Sequence, residues 1–127
     1  VLLSFFFLCL LYGSCQEYQN TALSDFYTSL SGNGWYNSTG WLSGKDPCGN
    51  STSWVGVICE GPYIASLILS DNNLQGTLPP SLSQLSNITH LNLSYNSIRG
   101  IIPTTYSTFQ YLNTLDLEHN QIEGTIP

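Results

Sequence analysis

The chain has no methionine, and apart from two histidines its only basic side chains are Lys45 and Arg99. Two cations cannot neutralise a run of phosphates, so nucleic acid and anionic membrane surfaces are poor partners. Charged residues make up only 8% of the sequence, with eight carboxylates giving a formal net charge of -6. Asn, Ser and Thr are abundant instead, a composition suited to a surface kept soluble by hydroxyls, amides and glycans. Long apolar runs are absent with one exception, the opening VLLSFFFLCLLY, which small residues Gly13-Ser14-Cys15 follow. Such a run ending in small residues reads as a secretory signal peptide over residues 1–15, cleaved after Cys15. As a membrane span it falls short of the roughly 18 to 20 residues required. With no initiator Met and no basic stretch ahead of it, the true start is expected upstream, and at 127 residues the chain holds one domain.

Cysteine is scarce once that leader is removed. Cys48 and Cys59 remain, eleven apart in a secreted context, and a disulfide between them is the simplest outcome. A metal site needs more ligands than two isolated thiols, and no histidine lies near them, so no metal and no cofactor are expected. Asn-x-Ser/Thr sequons stand at Asn37, Asn50, Asn87 and Asn92, each a candidate glycosylation acceptor in a secreted chain.

Three segments follow the leader. Residues 17–31 place Ala22, Leu23, Phe26, Tyr27 and Leu30 on one stripe, which predicts a short amphipathic helix ended by Gly32-Asn33-Gly34. Residues 32–63 are loop-rich, with Trp35, Trp41 and Trp54 among polar residues. An exposed sugar-stacking platform is one reading of these tryptophans. Packing is favoured, because the apolar end of the segment that follows must be covered. Trp54 to Cys59 is expected as a short strand.

From Ile64 the sequence repeats every 24 residues, as Ile64 to Asn87, Ile88 to Tyr111 and a partial unit from Leu112 to Pro127. Leu67, Leu91 and Leu115 fall in register, as do Leu69, Leu93 and Leu117, then Asn72, Asn96 and Asn120. Leu74, Ile98 and Ile122 align next, followed by Gly76, Gly100 and Gly124, and by Pro79, Pro103 and Pro127. A period in this range with this pattern marks a leucine-rich repeat solenoid. Each Leu-x-Leu makes a short strand with leucines inward, and stacked copies form a parallel sheet. The aligned asparagines follow the strand, where their amides can bond backbone groups of their own and neighbouring turns as a ladder. The glycines are expected at tight turns, and the segments after each proline as 3₁₀ or brief helical turns on the convex side.

These residues resemble the plant-type extracellular leucine-rich repeat proteins, whose pattern LxxLxLxxNxLxGxIPxxLxxLxx the three units match. The helix, Gly34-Trp35, Trp41, Pro47-Cys48, Trp54-Val55-Gly56-Val57 and Cys59 resemble that family's N-terminal cap. The resemblance covers residues 17–127. It implies an α/β fold: a right-handed leucine-rich repeat solenoid of short parallel strands and 3₁₀ or helical convex turns, with a helical N-terminal cap. The domain boundaries that follow are a leader at 1–15, a cap at 16–63 and repeats at 64–127. It also implies a secreted or cell-surface protein that recognises a protein, peptide or glycan, touching a membrane only through a segment outside this chain. Receptor ectodomains fit this pattern best. The alternatives are an inhibitor of a secreted cell-wall polysaccharide hydrolase, the ectodomain of a receptor kinase whose enzyme lies beyond Pro127, and a gene fragment with no function of its own.

The period places Ser66, Ile68, Ser70 and Asp71 outward in the first repeat, His90, Asn92, Ser94 and Tyr95 in the second, and Thr114, Asp116, Glu118 and His119 in the third. These are the ligand-facing candidates on the concave sheet. The competing expectation is that they are scaffold, with the binding surface further along a longer solenoid. Catalysis is not expected. His90, Asp116 and His119 suggest a base and an orienting carboxylate, but the register sets Asn92 rather than His90 beside Asp116. No nucleophile elbow or phosphate loop accompanies them.

Overall fold

A computed structural model describes residues 14–49 and 54–127. The expected leader lies outside the described residues except for Ser14 and Cys15, and so does the sequon at Asn50. Helix α1 (Ser14–Ser29) opens the described chain, starting earlier and ending two residues sooner than its apolar stripe suggests. Its end is set by Ser31, whose left-handed backbone (φ 57°) turns the chain into the 3₁₀ turn Gly32–Gly34. Two sheets follow. The first contains β1 (Val57–Glu60), β2 (Tyr63–Ile68), β4 (His90–Asn92) and β6 (Thr114–Asp116), in the order β1-β2-β4-β6. The second contains β3 (Gln75–Thr77), β5 (Ser97–Ile101) and β7 (Gln121–Glu123).

Strands β2, β4 and β6 are parallel and in the expected register, with Leu67 opposite Leu91 and Leu91 opposite Leu115. The core is the column of repeat leucines and isoleucines, including Leu67, Leu74, Leu82, Leu91, Leu93 and Ile98, all buried. Fully burying one such side chain contributes about 1.5–3 kcal/mol. The 3₁₀ turns Pro80–Gln84 and Thr104–Thr108 form the side opposite the first sheet, as the proline spacing predicts. Tyr106 ties them together by donating its phenol proton to the Pro79 carbonyl (2.9 Å), and burial pushes that phenol's pKa up. Leu115 is 36% exposed where Leu67 and Leu91 are fully buried, because no further repeat stacks on the third among the described residues.

The second sheet departs from the expectation of tight turns at Gly76 and Gly100. Both lie inside strands. Successive repeats stack closely enough there for the backbones to pair, Gly76 opposite Ile98 and Gly100 opposite Ile122. The sequence also placed the cap strand from Trp54. Trp54–Gly56 is a lead-in with Gly56 at φ 80°, and β1 begins at Val57, running antiparallel to β2.

The cap covers what the first repeat would otherwise expose. Ala22, Leu23 and Phe26 on the inner side of α1, and Leu30 just after it, are fully buried. Trp35, Trp41 and Trp54 are packed, not displayed: Trp35 and Trp41 meet edge to face at 4.9 Å, and Trp41 lies 5.4 Å from Trp54. Trp35 Nε1 donates to Leu30 O and Trp41 Nε1 to Val55 O, so these two rings bury area without stranding their polar atoms, whereas the Trp54 Nε1 is buried without a hydrogen-bond partner. Gln19 clamps the helix to the start of β2, donating to Pro62 O (2.8 Å) and accepting from Ile64 N (2.7 Å). The Cys48–Cys59 disulfide forms as expected and pins the cap loop to β1. The open edge of the second sheet is closed by the end of α1 and the two residues after it: Gln75 N donates to Leu30 O, and Ser31 and Ser29 hydroxyls donate to Gln75 O and Thr77 O.

Candidate recognition surface

The asparagine column holds the surface in shape. Asn96 Oδ1 accepts from Asn72 N (3.0 Å) and Leu74 N (2.9 Å), while its Nδ2 donates to the carbonyls of Leu69, Leu93 and Ser94. Asn120 repeats the pattern one turn on, accepting from Ile98 N and donating to Leu93, Leu117 and Glu118 carbonyls. Asn72 makes the equivalent bonds to the cap residue Asn37. Each turn after a strand is therefore locked to the next one.

On that frame the outward residues of the first sheet form rows across the strands. Ser66, His90 and Thr114 share one row, and Ile68, Asn92 and Asp116 the next. Asn92, not His90, stands beside Asp116, which dissolves the acid–base arrangement as the sequence reading expects. Among the described residues no group of His, Cys, Asp or Glu could hold a metal ion.

Past the strand ends, Asp71, Tyr95 and His119 form an exposed column, all three with left-handed backbones at φ 49°, 56° and 53°. Backbone bonds hold that conformation: Asp71 N donates to Ser94 O and Tyr95 N to Glu118 O, each at 3.0 Å. As a result the Tyr95 and His119 rings stack, their centroids 4.2 Å apart and their planes within 18°. Glu118 is tied to both neighbours, since its own N–H donates to Asp116 Oδ1 (3.1 Å).

The candidates are not equally available. Ser70, Asp71, His90, Tyr95, Thr114, Glu118 and His119 are exposed, Ile68 is 42% exposed, and Ser66, Asn92 and Asp116 are half-buried. Ser94 is a correction. It is 3% exposed, and its hydroxyl donates to Asn92 Oδ1 (2.7 Å), closing the sequon on itself. Asn37 forms the same closed loop with Thr39 on the cap, and Asn87 lies in the turn before β4. The sequence reading missed Ile58, 51% exposed on β1 opposite Ser66, which extends the face onto the cap. The alternation Val57-Ile58-Cys59-Glu60 carried that signal.

Comparison with known proteins decides the family. The chain matches the leucine rich repeat N-terminal domain over residues 17–60 and the leucine rich repeat over residues 62–122. The chain is a leucine-rich repeat protein. This leucine-rich repeat chain is 41% identical over 56 residues to a probable leucine-rich repeat receptor-like protein kinase of Arabidopsis thaliana, a match covering 43% of this chain and 6% of that protein. Its fold is similar to the BIR2 ectodomain from Arabidopsis thaliana, with a TM-score of 0.73 and 29% identity over 85% of this chain and 58% of that one. The Arabidopsis receptor kinase HAESA, solved with the peptide hormone IDA and the co-receptor SERK1, gives a TM-score of 0.71 and 31% identity over 85% of this chain and 18% of HAESA's. The matches span 5% to 6% of the length of these curated relatives. Among the described residues no helix is long and apolar enough to cross a membrane.

Proposed function

We propose that this chain is an extracellular recognition module of the receptor-ectodomain type, which binds a protein or peptide on the outward face of its first sheet and performs no catalysis itself. The observation that carries this reading is the face itself: rows of exposed, chemically varied side chains on a parallel sheet whose other side is the buried leucine core. Such a sheet is stiff and presents side chains at fixed spacing, which suits binding by surface complementarity. The similarity to ectodomains that hold peptide and co-receptor partners supports the same reading. The cap, residues 16–63, seals the solenoid, while residues 64–127 supply the face.

Hydrogen exchange of the secreted chain with and without a bound peptide or partner ectodomain tests this. Slowed exchange over residues 66–71, 90–95 and 114–119 is the expected footprint. Protection confined to the 3₁₀ turns or the second sheet would move the binding surface away from this face.

A further inference from the structure

The face is graded from end to end. Toward the cap it exposes Ile58 and Ile68 on adjacent strands, with Glu60 further along β1 opposite Tyr63. Toward the third repeat it is acidic and aromatic: Asp116 and Glu118 stand beside the stacked Tyr95 and His119 rings, with Asp71 in the same column. Neither strong cation is on it among the described residues, since Lys45 sits in the cap loop and Arg99 on β5 of the other sheet. Charge complementarity therefore asks for a positive group at one end and an aliphatic group at the other. The aromatic stack adds to the match, because a guanidinium lies well over a ring face.

Spacing fixes the rest. Ile68, Asn92 and Asp116 lie in one row on three successive strands. Two interstrand steps span about 10 Å, the length of roughly three residues of extended chain. We propose that this face binds an extended peptide segment running across the strands, with an aliphatic side chain against Ile58 and Ile68 and a lysine or arginine about three residues away against Asp116, Glu118 and the Tyr95–His119 stack. This rests on the reading of the first sheet as the recognition surface and adds the chemistry of what it recognises.

The test is selection of a displayed random-peptide library on the secreted chain, followed by synthesis of an enriched peptide with arginine and with its neutral isostere citrulline. Enriched sequences should carry Lys or Arg about three residues from an aliphatic residue. Citrulline should weaken binding about tenfold or more, and Asp116→Asn with Glu118→Gln should weaken the arginine peptide by a similar factor and the citrulline peptide much less. Glu118 has an exposed side chain, so Glu118→Gln alone answers the question if the double variant fails to fold. Equal binding of the arginine and citrulline peptides overturns the proposal. Binders that lack a cation yet are weakened by Ile68→Lys or Tyr95→Ala would overturn it and leave the recognition face standing. Binders insensitive to every variant of this face, or no enrichment at all, would overturn that reading as well.

Discussion

Asn37 and Asn72, thirty-five residues apart, exchange two hydrogen bonds: Asn72 Oδ1 accepts from Asn37 N at 2.8 Å, and Asn72 Nδ2 donates to Asn37 O at 2.9 Å. The cap thereby supplies the rung of the asparagine ladder that a preceding repeat would otherwise provide. Asn96 and Asn120 make the same kind of bond between repeats. One amide chemistry thus joins cap to repeat and repeat to repeat, and a rigid row of turns is the consequence.

The rungs should differ in strength with the number of backbone groups that each one alone satisfies. Asn96→Ala orphans the Asn72 and Leu74 N–H groups and the Leu69 carbonyl in the middle of the stack, while Leu93 O and Ser94 O keep Asn120 and Asp71 as donors, and is expected to cost about 3 kcal/mol in urea-induced unfolding. Asn72→Ala should cost about 2 kcal/mol, and Asn120→Ala, in the more exposed third repeat, about 1 kcal/mol. Equal losses at all three positions would mean the ladder is not graded by its neighbours.

Equivalent glycines should also behave unequally. A Cβ on Gly76 would sit 2.1 Å from the Ser29 carbonyl oxygen at the end of α1, with φ at 134°. At Gly100 the nearest atom is a Thr77 methyl at 3.2 Å, with φ at 84°. Gly76→Ala is therefore expected to push the helix off the second sheet and cost about 3 kcal/mol or more, against about 1 kcal/mol for Gly100→Ala. Thermal melts of the two variants compare them directly.

The Cys48–Cys59 bridge closes a short loop, for which the chain-entropy model gives about 3 kcal/mol of stabilisation. Replacing both cysteines by serine should lower the unfolding midpoint accordingly. Hydrogen exchange should quicken first in β1 and the loop before it, the segments that the bridge joins.

Much of this was legible in the sequence because the 24-residue period fixes register. The inward leucines, the asparagine column, the 3₁₀ turns after Pro79 and Pro103 and the Asn92–Asp116 pairing all follow from it. Features that depend on contact between turns were hidden. Gly76 reads locally as a turn, and only stacking against Ile98 makes it a strand residue. Ser94 reads as outward by parity, but it is buried, with its hydroxyl on Asn92. The Tyr95–His119 stack needs two left-handed residues in successive turns, and nothing in the spacing announces that conformation.

Asn92 links modification to binding. Its Oδ1 is held by Ser94, and the residue stands on the face between Ile68 and Asp116, so a glycan there excludes a flat partner. Enzymatic removal of glycans from protein occupied at Asn92 is expected to raise peptide affinity about tenfold or more, read by titration calorimetry before and after treatment. Unchanged affinity would place the partner on another surface.

The most direct measurement of the central claim is the affinity of a bound peptide or partner for the chain carrying Tyr95→Ala, Asp116→Asn and Glu118→Gln together. A loss of about tenfold or more is expected with the thermal midpoint little changed, because these side chains are exposed or half-buried at the outer face. Undiminished affinity in a folded triple variant would contradict that claim.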